Sequence, residues 1–175
     1  ILENLNERGF HIENGTLDME HCFVALQTLA KFHAFYFQMI HEKKQLEPEY
    51  SILKEYPNFF QEVVLELETE NGKQWFQYTV DSVKCILNGM PTSNSKIESK
   101  IVEKLYALCE YLKPVENQYN VISHGDLWTN NIMFSSENGS PKNCCFIDYQ
   151  LLRFLPLGND VLTLLHLNTS PEFRR

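Results

Sequence analysis

The stretch His124-Gly125-Asp126-Leu127-Trp128-Thr129-Asn130-Asn131 decides the fold that the sequence predicts. It provides an Asp and, five residues later, an Asn, and a second carboxylate follows at Asp148, 22 residues after Asp126. Carboxylate and amide oxygens are the ligands that Mg²⁺ prefers, and a carboxylate can orient an attacking hydroxyl and accept its proton. These groups are the ones that phosphoryl transfer from a Mg-nucleotide requires.

Short apolar runs on both sides of this stretch indicate β-structure. Three strands are predicted, at Val121-Ile122-Ser123, Ile132-Met133-Phe134 and Cys144-Cys145-Phe146-Ile147. Residues 135–143, which include Asn-Gly and Pro, are predicted to form the turn between the last two strands. This order would bring Asp126 and Asp148 together. The alternative is that both are solvated turn carboxylates with no shared site.

The residues from His124 to Phe134, followed by Phe146-Ile147-Asp148-Tyr149-Gln150, resemble the ecdysteroid-kinase-like family. This family, also called CHK kinase-like and including juvenile-hormone-inducible proteins, belongs with choline kinases and aminoglycoside phosphotransferases. Two further stretches resemble it, Leu29-Ala30-Lys31-Phe32-His33-Ala34 and Gly158-Asn159-Asp160-Val161-Leu162. The resemblance implies a protein-kinase-like fold of the α+β class, with a helix-rich carboxyl-terminal lobe that carries a small β-hairpin.

The resemblance also implies roles for individual residues. Asp126 would be the catalytic base, and Asn131 and Asp148 would be the magnesium ligands. His124 would mainly organise the loop, although a direct role as general base is the alternative. Gly125 stands where protein kinases usually have Arg. A small-molecule kinase therefore fits the sequence better than a protein kinase does.

The first residues resemble the end of the amino-terminal lobe of such a kinase. Residues 1–6 are predicted to be its last strand and hinge, and residues 7–175 the carboxyl-terminal lobe. Backbone groups that would hold the adenine of ATP are predicted at Glu3, Asn4 and Leu5. No Gly-rich phosphate loop occurs in the sequence. The amino-terminal lobe with its Lys is therefore expected upstream and further helices downstream, and this fragment alone is expected to be nearly inactive.

Composition indicates an ordinary globular protein. With 175 residues, 43% of them hydrophobic and 22% charged, the chain can bury one sizeable domain. A net charge of −8 argues against nucleic acid or an anionic membrane as partner, and the apolar runs are too short for a membrane span. Five cysteines without metal spacing or a signal peptide predict reduced thiols in the cytoplasm. No obligate protein partner is evident.

Helical periodicity predicts three helices outside the proposed site. The first would be capped by Thr16 or Asp18, carry Cys22, Phe23, Leu26, Leu29, Ala30, His33 and Phe37 on its apolar positions, and end near His41, Lys43 and Lys44. The second carries Trp75, Phe76, Val80, Val83, Ile86 and Leu87 before Gly89 and Pro91. The third starts with a capping box at Ser95 and Glu98, continues through Ile97, Ile101, Leu105, Leu108 and Leu112, and is ended by Pro114.

Four features have two interpretations each. His33 is interpreted as a hydrogen-bonded core histidine rather than as a ligand. Asp160 is either a helix cap or a carboxylate that also ties down the catalytic loop. Cys144 and Cys145 are interpreted as including at least one core residue, with vicinal redox chemistry as the alternative. The aromatic residues are mostly core, and some would suit an apolar acceptor pocket.

The predicted function is transfer of the γ-phosphoryl group of ATP, with Mg²⁺, to a hydroxyl of a small molecule. The family's name suggests an ecdysteroid as the acceptor, and a choline-like alcohol or a foreign compound is the alternative. A second hypothesis is a pseudokinase that binds nucleotide or steroid without transfer. A third is a metal-dependent hydrolase that uses Asp126, His124 and Asp148.

Overall fold

The structure is a computed structural model that describes residues 3–60, 67–92 and 94–175, apart from the side chain at position 110. Within it the chain divides into two compact units, one formed by Ile1–Phe60 with Val115–Arg175 and the other by Gln61–Pro114. Helices and antiparallel sheets both occur, which agrees with the predicted α+β class. The assignment of Ile1 and Leu2 to a hinge strand lies outside the described residues.

The described residues of the first unit form five strands in two small sheets. These strands are β1 (Phe10–Ile12), β2 (Asn120–Ser123), β3 (Ile132–Glu137), β4 (Ser140–Phe146) and β5 (Arg153–Pro156). One sheet has the order β1-β3-β4 and the other pairs β2 with β5, and every pairing is antiparallel. The three predicted strands correspond to β2, β3 and β4. Strands β1 and β5 are additional to the prediction.

The hairpin between β3 and β4 is tighter than the sequence suggested. Glu137 pairs with Ser140, so the loop is the two residues Asn138-Gly139. Both have positive φ, 53° and 85°, the conformation of a type I′ turn whose twist matches that of the flanking strands. The prediction that all of residues 135–143 form a turn was therefore wrong, because most of them continue the two strands.

The long helix α1 (Met19–Leu46) forms much of the core of the first unit. Asp18 caps it by accepting the backbone N–H of His21, as one of the two predicted caps. Its buried positions, three or four residues apart, are Cys22, Ala25, Leu29, His33 and Tyr36. Phe23 and Phe37 do not belong to this stripe, since 61% and 38% of their surfaces are exposed.

The central core of this unit lies between α1 and the three-stranded sheet. Its buried members are Leu17, Cys22, Ala25, Leu29, Leu127, Ile132, Phe134, Phe146 and Leu164, the last from helix α5 (Gly158–Asn168). A short helix, α2 (Ile52–Glu55), adds Ile52 to a second cluster with Tyr36 and Val121. Leu127 thus anchors the proposed catalytic loop in the core. This anchor restricts the positions of the polar residues next to Leu127 in the loop.

The vicinal cysteines lie on β4. Cys144 packs against the central core, and burial raises the pKa of its thiol to about 12. Burial also raises the pKa of Cys145. Both are free thiols. The prediction that at least one of them packs in the core is confirmed, and a raised pKa disfavours the thiolate that redox chemistry requires.

The second unit contains helices α3 (Glu70–Asn88) and α4 (Ser95–Tyr111). Phe76 and Val80, two of the predicted apolar positions of α3, pack with Cys109 of α4, which the prediction did not include. Trp75 and Ile86 were predicted on the apolar face of α3 but are exposed. Gly89 follows the end of α3, also as predicted. The cap of α4 is Asn94 rather than Ser95, because the Asn side chain accepts the N–H groups of the second and third helical residues. None of the helices in the described ranges combines the length and apolarity of a membrane span.

Candidate active site

The loop from His124 to Asn131 joins β2 to β3 and is held by a buried carboxylate. Asp160, which is 1% exposed, accepts the N–H of His124 through Oδ2 at 2.8 Å and the N–H of Gly125 through Oδ1 at 3.1 Å. Its Oδ2 also lies 3.1 Å from Nε2 of His33. Leu157 precedes α5 without any side-chain cap, so Asp160 is not the N-cap. Of the two interpretations of Asp160, the one in which it ties down the loop agrees with the structure.

Gly125 occupies a position that other residues cannot take without strain. Its φ is +81°, in the left-handed region. A Cβ at this position would stand 2.1 Å from the carbonyl oxygen of Leu151, well inside van der Waals contact. The backbone of the loop therefore approaches the segment after Asp148 at a distance that requires glycine.

His124 is fully buried and uses both of its ring nitrogens. Nδ1 accepts the N–H of Asp126 at 3.3 Å, and Nε2 lies 2.9 Å from the carbonyl oxygen of Ile147. Because a backbone N–H can only donate and a carbonyl can only accept, Nε2 carries the proton. The ring also contacts Tyr149, with centroids 4.6 Å apart. These contacts favour the organising role of His124 over a role as general base.

Asp126 and Asn131 are joined directly. The Asn131 amide donates from Nδ2 to the Asp126 carbonyl oxygen at 2.9 Å and to its carboxylate Oδ2 at 3.0 Å. Both amide hydrogens are thus used, so a metal ion would meet the amide oxygen. Asn131 is 5% exposed and Asp126 is half-buried. The pair is therefore fixed on one side and open on the other.

Asp148 lies between two residues that contact the loop. Before it, the Ile147 N–H donates to the Asn131 carbonyl at 3.0 Å, and the Ile147 carbonyl faces His124. After it, Tyr149 packs on the His124 ring. Asp148 itself is exposed and has a φ of 63° and a ψ of 67°, an uncommon conformation for a residue other than glycine.

The two flanking contacts place the backbone of Asp148 beside the loop that carries Asp126 and Asn131. The described residues contain no group of three or more His, Cys, Asp and Glu side chains suited to a metal ion. The predicted set has a different composition, two carboxylates and one amide oxygen. Assignment of the metal and catalytic roles to these residues stays a prediction.

The predicted adenine-binding residues lie at the start of the described chain. Glu3 pairs with Arg8 at 3.0 Å, and Asn4 caps a short 3₁₀ helix, Leu5–Arg8. These contacts are local. The adenine-binding role of Glu3, Asn4 and Leu5 stays a prediction.

Asn168, at the end of α5, is a structural residue of the site that the sequence analysis missed. It is 1% exposed, and its Nδ2 donates to the carbonyl oxygens of Leu127 and Leu164, both at 2.7 Å. Its Oδ1 accepts the hydroxyl of Thr129 at 2.9 Å. Asn168 thus holds the second half of the loop, as Asp160 holds the first half. A single Asn near a helix end carries no sequence signal of such a role.

The protein therefore combines a fold of helices and sheets with a site of carboxylate and amide groups. This site consists of the loop, which α5 holds at two points, and the adjacent Asp148. A sequence profile described as the ecdysteroid kinase-like family matches residues 1–175. The chain therefore belongs to the ecdysteroid kinase-like family, which confirms the resemblance and implies a kinase-like phosphotransferase. Searches of curated proteins and of solved structures each found no match.

Proposed function

We propose that the protein is a small-molecule kinase that transfers the γ-phosphoryl group of Mg-ATP to a hydroxyl group, with an ecdysteroid as the first acceptor class to test. The observation that supports this most is the Asp126–Asn131 pair. Its carboxylate is held at one oxygen by the Asn131 amide at 3.0 Å, in a loop whose backbone is fixed by Asp160. Catalysis of phosphoryl transfer consists mainly of such positioning together with stabilisation of charge.

The proposed step uses the second oxygen of Asp126. Because Oδ2 accepts from Asn131, Oδ1 is the oxygen that would meet the hydroxyl of the acceptor. The hydroxyl oxygen attacks the γ-phosphorus, and the bond from that phosphorus to the bridging oxygen of ADP breaks. The hydroxyl proton passes to Asp126, so phosphorylated acceptor and ADP leave and the carboxylate is regenerated by loss of the proton to water.

The residues present fit a magnesium ion. The Asn131 amide oxygen and the exposed Asp148 carboxylate are hard oxygen donors, and Mg²⁺ typically combines one or two protein oxygens with phosphates and water. When bound, the ion would neutralise charge on the phosphates. In the structure, Asp148 Oδ2 accepts a hydrogen bond from Gln150 Nε2 at 3.3 Å, which orients this carboxylate.

Two exposed aromatic residues beside the site support an acceptor with an apolar surface. Trp128 follows Asp126 by two residues and is 43% exposed, and Tyr149 directly follows Asp148 and is 41% exposed. Aromatic rings contribute large contact areas to the binding of flat, apolar ligands. Aromatic faces also bind quaternary ammonium groups through cation–π contacts, so a choline-like alcohol stays the alternative acceptor in the screen.

The test is a screen of full-length protein with Mg-ATP against an ecdysteroid, a choline-like alcohol and a foreign alcohol. Mass spectrometry should detect an acceptor that has gained one phosphoryl group. Nucleotide binding without any phosphorylated acceptor would instead indicate a pseudokinase, and phosphate release alone would indicate a hydrolase. The same screen on a variant with Asp126→Asn identifies product made by a contaminating kinase.

A further inference from the structure

His33 lies outside the proposed catalytic loop, yet it contacts the carboxylate that holds this loop. We propose that His33 is a positioning residue, which acts through Asp160 to fix His124 and, through His124, Asp126. The proposal rests on the proposed function, because it assigns the residue to support of that site. It goes beyond the interpretation of His33 as a core histidine.

The first step is the crowded hydrogen bonding of Asp160. Its Oδ2 accepts the His124 N–H at 2.8 Å and faces Nε2 of His33 at 3.1 Å, while Oδ1 accepts the Gly125 N–H at 3.1 Å. Because an ionised carboxylate can only accept, the His33 ring is the donor. A carboxylate that is 1% exposed is stable only when such donors replace the lost water.

The second step is the geometry of His33. It lies on the buried stripe of α1 and is itself 6% exposed, so its ring has little freedom to leave Asp160. The next residue toward the amino terminus, Phe32, has its ring 5.8 Å from that of Tyr149, which packs on His124. Helix α1 therefore supports both segments of the site, the loop through His33 and the segment after Asp148 through Phe32.

The third step connects Asp160 to the proposed base. The imidazole of His124 accepts the N–H of Asp126 at 3.3 Å, so a shift of His124 moves the hydrogen bond that orients Asp126. Loss of the His33 donor removes one contact that fixes the Asp160 carboxylate, so the carboxylate can rotate away from the N–H groups of His124 and Gly125. The expected consequence is a misplaced base with an unchanged affinity for nucleotide.

The experiment compares two amide substitutions that differ by one methylene. In His33→Gln the side-chain Nε2 can still reach Oδ2, whereas in His33→Asn the shorter amide cannot. Hydrogen exchange of the His124 and Gly125 amides in full-length protein reports on the loop directly. His41→Asn, at an exposed position of the same helix, is the control for the substitution itself.

In His33→Asn we expect exchange of these two amides to accelerate about tenfold, with the amides of β3 unchanged. The kcat should fall by a similar factor while the KM for Mg-ATP stays within about twofold. His33→Gln should restore both quantities. The proposal would be overturned by any of three results. These are unchanged amide exchange in His33→Asn, equal acceleration of exchange across the whole protein, and failure of His33→Gln to restore the exchange rate and kcat. If the wild-type protein transfers no phosphoryl group, the proposed function fails, and the exchange data still decide the role of His33.

Discussion

Gly125 combines two constraints that can be separated by experiment. Its φ of +81° strains any other residue, and a Cβ would also meet the Leu151 carbonyl oxygen at 2.1 Å. Gly15 has a similar φ of +89°, but nothing lies within 4 Å of a Cβ there. A substitution at Gly15 therefore measures the cost of the backbone conformation alone.

We expect Gly15→Ala to lower the free energy of unfolding by about 1 kcal/mol and Gly125→Ala by more than about 3 kcal/mol. The difference reflects movement of the segment that contains Leu151, which follows the proposed metal ligand Asp148. Urea unfolding of both variants measures the two costs. Equal losses of stability would show that the close approach at Gly125 relaxes without strain.

The proposed base provides a second prediction at the scale of the residue. Asp126→Asn preserves the size of the side chain and an oxygen that can accept from Asn131, but it removes the basic carboxylate. We expect kcat to fall by about 10²–10⁴-fold, with a thermal midpoint close to that of the wild type, because the residue is half-buried and its other contacts remain. Measurements are initial rates with the acceptor found in the screen and thermal unfolding.

A matched control exists on α3, where Asp81 accepts a hydrogen bond from Gln77 on the helix surface. Asp81→Asn changes the net charge by the same amount and should leave kcat within about twofold of the wild-type value. Retained turnover in Asp126→Asn would refute the assignment of Asp126 as the base.

At the scale of the element, α5 anchors the loop at two points, with Asp160 in its first turn and Asn168 at its end. Asn168 uses both amide hydrogens and its amide oxygen in hydrogen bonds to Leu127, Leu164 and Thr129. Asn168→Ala would leave the buried Leu127 carbonyl and the Thr129 hydroxyl without this partner. We expect a loss of about 2–4 kcal/mol of unfolding free energy, measured by urea unfolding.

Asn143 provides the comparison for this substitution. It lies on β4, and its amide donates to the Ser135 hydroxyl at an exposed site, where water can replace the bond. Asn143→Ala should therefore cost less than about 1 kcal/mol. A loss at Asn168 no larger than that at Asn143 would contradict an anchoring role for the end of α5.

The elements also show which parts of the fold the sequence could predict. Helices α1, α3 and α4 and the β3–β4 hairpin were predicted, because apolar periodicity and Asn-Gly are local signals. Strand β1 has three residues, too few for a period, and β5 contains Pro156, which argues against a strand in a sequence. Strand β2 is as short as β5, but it directly precedes the motif that begins at His124. The Asn94 cap was assigned one residue late because Asn and Ser are both good caps.

The candidate site divides in the same way. The residues with proposed chemical roles, Asp126, Asn131 and Asp148, follow from a motif and its resemblance to a family. The residues that position them were harder to predict. Asn168 contacts the loop from about 40 positions away, and the choice between two roles of Asp160 depended on which backbone N–H groups lie beside it. Such contacts depend on tertiary packing, which periodicity does not report.

For the whole molecule, the raised pKa of buried thiol and phenol groups makes stability depend on alkaline pH. Burial raises the pKa of Cys144 to about 12 from an ordinary value of 9, and that of Tyr36 to about 12 from 10. Each group then binds its proton more tightly in the folded state. The stability that they contribute is complete below pH 9 and is lost progressively as pH rises toward 12. Ionisation also adds negative charge to a chain whose net charge is already −8.

Cys144→Ala isolates the contribution of one group to this pH dependence. Between pH 9 and 12 the free energy of unfolding of the wild type should fall by up to about 1.4 kcal/mol per pH unit more than that of the variant. The reason is that the wild type releases one more proton on unfolding, the proton of Cys144. Urea unfolding at pH 8, 9.5 and 10.5 gives the slope, which is independent of any constant loss of packing caused by the smaller side chain. Cys85→Ala, which removes an exposed thiol, is the control for the loss of a cysteine elsewhere in the chain. If the free energies of unfolding of the wild type and Cys144→Ala changed in parallel with pH, Cys144 would titrate in the folded protein as it does in the unfolded chain. Its packing against the core would then not exclude water.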